Sequence, residues 1–284
     1  MSNIILVAET GSDVTAAQAK EHEIYLVPMH VSMGDVTLDD GTFPPEDICA
    51  YYDLTGKVPR TAACNPEDFA MVFDEIHAKY PEKQILHLAY SAVTTCSYQN
   101  AVIASEDRDY VRSVDTKHAS AGQASIVLAV AQLLHQQPDI SLDEAASAAE
   151  RLVERTHMCF IPDNLDYLRA GGRVSNAVAL VGNILNLHPC IEFVDGQLIA
   201  QKKYRGSTKK IIPKLIADFS EKHALRKDLI RFIYSIGLSE EYRSIADETA
   251  RSMGFERIEW VKAGCVITCH GGPDAFGIVG TSEK

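Results

Sequence analysis

Short apolar runs alternate with amphipathic stretches through the first half of this chain, and that alternation limits the fold more than any other feature. Residues 4–8, 24–28, 85–90 and 110–114 have the length and side chains of buried strands. Helical patterns separate most of them. Asn65-Pro66-Glu67-Asp68 joins a capping side chain to a first-turn proline and two acids placed to meet the positive end of a helix dipole, so a helix is predicted to about Lys79. A second helix is predicted after Thr94 and a third over residues 122–135. Ser141-Leu142-Asp143-Glu144 is a capping box opening a fourth. Strands and helices in this order predict an α/β fold with a largely parallel sheet flanked by helices.

The texture changes after about Thr156. Residues 190–194 and 198–203 flank Asp195-Gly196, a hairpin signal that demands antiparallel pairing. A helix over 208–222, a strand over 229–236, a helix over 240–253 and strands near 256–261 and 276–279 complete the pattern. At 284 residues the chain has room for two cores. The reading is therefore an N-terminal α/β domain over residues 1–156 and a C-terminal α/β domain over 157–284 with a mixed or antiparallel sheet.

A net charge of −12, with no basic cluster denser than Lys202-Lys203 or Lys209-Lys210, argues against nucleic acid as a partner. The first residues lack the basic region and long apolar core of a signal peptide, and no apolar run reaches bilayer length, so a cytoplasmic protein that does not span a membrane is expected. Seven cysteines without scaffold spacing read as reduced thiols. Cys265, Cys269 and His270 form C-x3-C-H, which is too long for haem attachment and has no second cysteine pair to complete a zinc site. Glu9-Thr10-Gly11-Ser12-Asp13 has one glycine, too few for a dinucleotide or phosphate loop, and no H-E-x-x-H motif is present. No cofactor or metal is expected.

Ligands of parallel sheets bind beyond the carboxyl ends of the strands, beside helix N-termini. Two hydroxyl-rich segments fall at such places: Arg60-Thr61-Ala62-Ala63-Cys64-Asn65 and Ser91-Ala92-Val93-Thr94-Thr95-Cys96-Ser97. Either can hydrogen-bond an anion, although hydroxyls also cap helices without any ligand. His270 lies in what reads as a glycine-rich turn after an apolar strand. Asn164 through Ser175 ends one helix in glycines and opens another at Ser175, and the unusually apolar run 177–187 that follows suits a buried core helix. Ser91 is not in a G-x-S-x-G elbow, yet Ser91 with His270 leaves a hydrolase or acyl transferase open.

In order along the chain, Thr61 with Pro66-Glu67-Asp68-Phe69, Ser91 with Tyr98-Gln99 and Ala101, Asp115 with Lys117, Leu165 through Ser175, Arg205-Gly206, and His270 with Gly272-Pro273 resemble the DegV family of bacterial fatty-acid-binding proteins. The resemblance implies a carrier that holds one fatty acid with its tail buried and its carboxylate near the domain junction. It also implies that some members present the lipid to a separate fatty acid kinase and that the carrier does no chemistry. Carried over by position, Thr61, Ser91 and His270 hydrogen-bond the carboxylate, and Arg205 supplies positive charge near the head group or toward the kinase. Ala62, Ala92, Thr95, Arg173 and Asp274 become possible head-group neighbours. The sequence departs from the family pattern by losing hydroxyls at Ala62 and Ala92 and by gaining a carboxylate at Asp274. The expectation is a lipid carrier, with the Ser91–His270 enzyme as the alternative and an interaction module that has lost its lipid as a third reading.

Overall fold

The computed structural model describes residues 2–174 and 187–283. Ser175 and nearly all of the apolar run 177–187 lie outside the described residues. In chain order the elements up to the first domain boundary are β1 (Ile4–Glu9), α1 (Ala16–Glu21), β2 (Ile24–Val27), β3 (His30–Met33), β4 (Val36–Asp39), α2 (Glu46–Thr55), β5 (Arg60–Ala62), α3 (Pro66–Lys79), β6 (Gln84–Ala89), α4 (Ser97–Ala104), β7 (Val111–Asp115), α5 (Ser120–Gln136) and α6 (Leu142–Arg155). Then come β8 (Thr156–Ile161), α7 (Leu165–Gly171), β9 (Leu187–Val194), β10 (Gln197–Arg205), α8 (Thr208–Lys222), β11 (Leu225–Tyr234), α9 (Glu240–Ser252), β12 (Arg257–Lys262), α10 (Cys265–Gly271) and β13 (Phe276–Ser282).

Packing divides these into two compact units, residues 1–43 with 61–154 and residues 44–60 with 155–284. The segment 44–60, which the sequence reading assigned to the first domain, packs with the second. Its helix α2 is held there by side chains: Lys262 donates to Glu46 at 3.0 Å, and Tyr52 donates to Asp166 at 2.8 Å.

In the first unit, β2-β1-β6-β7 form a parallel sheet. Strand β1 is buried along its whole length, as a central parallel strand covered on both faces must be. Ile4, Leu6 and Ala8 share one core with Leu86, Leu88 and the apolar sides of α5 and α6. On the alternate positions His87 meets the rings of Phe69 and Phe73 from α3, at centroid separations of 5.0 and 6.3 Å. Helix α3 begins as its sequence requires, with the Asn65 side chain accepting from the Glu67 and Asp68 amides and Asp68 reaching back to the Asn65 amide. A small sheet in the order β4-β3-β5, absent from the sequence reading, carries Thr61 on an outer strand.

The second unit is built on a six-stranded mixed sheet in the order β10-β9-β8-β13-β11-β12. Asp195 and Gly196 both take positive φ, +47° and +80°, and close the expected two-residue hairpin between β9 and β10. Ile211, Ile212, Leu215, Ile216 and Phe219 of α8 form the buried stripe that covers one side of this core together with Ile230, Phe232, Phe276 and Ile278.

One polar clamp fixes the approach to α3 in the first unit. His30 bridges two carboxylates, with Nδ1 2.8 Å from Asp39 Oδ1 and Nε2 3.1 Å from Asp68 Oδ2. Burial opposes protonation, but hydrogen bonds and charge from Asp68 and Asp39 outweigh it and raise the imidazole pKa above 6.5. A raised folded-state pKa gives stability that is complete below 6.5 and lost as pH rises through the folded value. Asp39 is half exposed, so screening limits the clamp to about 1 kcal/mol or less. His30→Gln should therefore cost up to about 1 kcal/mol in urea unfolding near pH 6, with the gap to wild type closing near pH 9.

Candidate functional site

The expected ligand residues divide between the two units. Thr61 and Ser91 belong to the first, and His270 and Arg205 to the second, as do Arg173 and Asp274. Thr61 is the middle residue of β5 and half-buried, while Ala62 beside it is exposed. Ser91 comes two residues after β6 ends, at the carboxyl end of the parallel sheet, and is fully buried. Its amide donates to His118 O at 2.8 Å, and its carbonyl accepts from the Thr94 and Thr95 amides at 3.1 and 3.3 Å, so the loop is wound tightly before α4 begins. Ala92 is exposed and Thr95 is half-buried in this turn.

His270 sits in the last turn of α10, not in the open turn expected from its glycines. Gly264 and Gly272 bracket the segment, and the burial of Cys265, Val266, Thr268 and Cys269 stabilises a short helix that local β-branched residues conceal. Gly172 ends α7 in a left-handed conformation, as the sequence indicated, and the residue before it has a second duty. A methyl group on Gly171 would collide with His270 Nδ1, so the imidazole lies directly against α7. Gly272 is likewise approached by the Tyr167 ring, which would stand 2.9 Å from any added Cβ. Tyr167 is buried and packs on Tyr52 of α2 with ring centroids 4.9 Å apart. Burial, aided by the Arg173 charge, lowers the His270 pKa to about 4. The imidazole is neutral at physiological pH.

Arg173 is exposed and donates to Gly171 O at 2.6 Å. Arg205 is exposed at the end of β10, opposite Leu187. Asp274 has φ +58°, and its Oδ1 would lie 2.6 Å from a Cβ placed on Gly237. Burial, then the charge of Asp163, raises its carboxyl pKa.

The sequence reading missed Tyr52 and α2, although Pro44-Pro45-Glu46-Asp47 carries the same proline-and-acid helix start as the segment before α3. Among the described residues no His, Cys, Asp or Glu cluster is arranged to hold a metal ion, and no helix is long and apolar enough to cross a membrane.

A family described as uncharacterised protein, DegV family, matches residues 3–283. The chain belongs to the DegV family. A DegV domain-containing protein of Caldanaerobacter subterraneus is 28% identical over 288 residues, covering 98% of each chain. The fatty acid-binding protein of Thermotoga maritima is 29% identical over 289 residues, covering 96% of this chain and 95% of that one. Among solved structures, a DegV family protein from Thermus thermophilus, described by its fatty acid binding, superposes with a TM-score of 0.88 at 27% identity, covering 98% of this chain and 99% of that one.

Asp274 is a second position where this DegV chain can be probed by pH. A carboxyl with a raised folded-state pKa destabilises the fold once it ionises, so its contribution is best below the ordinary 3.8 and declines as pH rises through the folded value. Asn keeps the shape, removes the charge and tolerates positive φ. Asp274→Asn should melt at a higher temperature than wild type at neutral pH, and the two melting temperatures should converge below about pH 4.

Proposed function

We propose that this chain binds a long-chain fatty acid and carries it without transforming it. Whole-length similarity to relatives described as fatty-acid-binding supports the ligand class. The observation that favours holding over reacting is the state of His270. An imidazole whose pKa is about 4 is a permanent neutral N–H donor and a weak base near neutrality. General-base catalysis works best with a pKa near the working pH, which is the wrong match for a Ser91–His270 hydrolase.

A buried carboxylate needs several donors to replace its water. In this reading Thr61, Ser91 and His270 supply them, and the exposed guanidinium of Arg205 adds positive charge near the head group or toward a partner. Ala62 and Ala92 contribute no side-chain donors, so each remaining hydroxyl carries more of the recognition. The partner that the family resemblance implies is a separate kinase acting on the head group.

Hydrogen bonds to charged groups contribute about 1.5–3 kcal/mol each. His270→Ala should therefore weaken binding in a fluorescent fatty-acid titration by roughly one to two powers of ten, with Thr61→Val and Ser91→Ala acting in the same direction. Ester and thioester hydrolysis assays on the same proteins should show no turnover. Turnover in wild type that disappears in His270→Ala while fatty-acid affinity is unchanged would replace the carrier with an enzyme.

A further inference from the structure

The Ser91 turn is gripped by the unit around it. The Tyr90 amide donates to Glu9 Oε2 at 2.9 Å, the Ser91 amide to His118 O at 2.8 Å, and the Ala92 amide to Asp115 Oδ1 at 3.1 Å. The Thr94 and Thr95 amides turn back to Ser91 O. Five N–H groups around the serine are thus engaged inside the first unit. A turn that gives its amides to its own chain is not a backbone cradle for an anion. Recognition there falls on side-chain atoms, whose direction is set by the backbone that carries them.

Asp115 is the member of this set that touches the turn just beyond Ser91. It ends β7, and the same Oδ1 that accepts from Ala92 also accepts from the Lys117 amide at 2.8 Å. The second bond is a local Asx turn, and it supports Lys117 at φ +53°. The first reaches across 23 residues and has no local purpose. Ala92 has only a methyl side chain and is exposed, so its backbone offers the grip that its side chain cannot. Thr116 closes the other side of the turn, its hydroxyl donating to Ala89 O at 2.7 Å.

We propose that Asp115 is a positioning residue for head-group recognition: by holding the Ala92 amide it fixes the backbone that aims the Ser91 hydroxyl at a fatty-acid carboxylate. The proposal rests on the fatty-acid reading above. A carboxylate near an anionic ligand acts in two opposed ways, which makes the role measurable. Its charge repels the ligand, so neutralising it should tighten binding; its acceptor orders the turn, so removing that should weaken binding.

The test is a fluorescent fatty-acid titration on wild type, Asp115→Ala, Asp115→Ser, Asp115→Asn, Ser91→Ala and the Asp115→Ala/Ser91→Ala double variant, with thermal melts on each. Asp115→Ser keeps the short Asx-like bond to Lys117 while giving up the reach to Ala92. Asp115→Ala and Asp115→Ser should each lose about tenfold in affinity, and Asp115→Asn, which retains the acceptor, should restore binding to within about threefold of wild type. In the Ser91→Ala background the Asp115→Ala change should cost less than about twofold, because the hydroxyl it aims is gone. Wild-type affinity in Asp115→Ala, an undiminished loss in the Ser91→Ala background, or collapse of the fold in both the Ala and Ser variants would each overturn the proposal. Wild type that binds no fatty acid would instead remove the carrier reading itself, a separate outcome of the same experiment.

Discussion

Burial of β1 and β6 on both faces is the constraint on which the first unit depends. Strands covered on each side keep their side chains from water, so a polar group along them must find its partner inside the protein, as His87 in the middle of β6 does with Ser113 at 3.0 Å, and contact with a ligand is left to the strand ends. Glu9 shows what that burial requires. It ends β1 with no exposed surface, and its Oε2 accepts from the Tyr90 amide and from Gln123 Nε2, while Oε1 lies 3.4 Å from His87 Nε2. A carboxyl group so placed is costly unless it is hydrogen-bonded, and its donors are the amide just beyond β6 and the Gln123 side chain of α5. The network that makes Glu9 bearable also fixes the chain where β6 gives way to the Ser91 turn. Core packing and candidate ligand recognition therefore share the same atoms.

The second unit reaches a comparable end by close approach instead of charge. Gly171 lets the His270 ring rest against α7, and Gly272 admits Tyr167, which α2 buttresses through Tyr52. Rings held this closely have little rotamer freedom. Burial also strips His270 of its proton, leaving a donor whose charge does not vary across the physiological range.

Much of this was legible in the sequence, for physical reasons that differ by element. Helix α3 falls where its Asn65 cap puts it, α8 covers the range 208–222 read from the sequence, and Asp195-Gly196 closes its hairpin because both residues accept positive φ. These are local signals. The four-residue strands β3 and β4 were too short to show a period, and α10 was hidden because packing overrode the preferences of Val266, Ile267 and Thr268. Helix α2 was overlooked and the segment around it was assigned to the wrong domain, since membership is decided by contacts such as Lys262 with Glu46, 216 residues apart. The candidate residues divide in the same way. Ser91 follows β6 at the carboxyl end of the parallel sheet, where the sequence put it, whereas Thr61 lies in the middle of β5, a strand too short to show a period, and Glu9 acts on a residue 81 positions away that no spacing rule reveals.

Whether the fold holds a lipid is tested most directly by native mass spectrometry of freshly purified protein without added ligand. A lipid carrier should show a second species heavier than the polypeptide by the mass of a long-chain fatty acid, lost on delipidation and regained when fatty acid is returned. Protein that carries only its polypeptide mass, and that fails to take up any fatty acid from ten to eighteen carbons after delipidation, would contradict it.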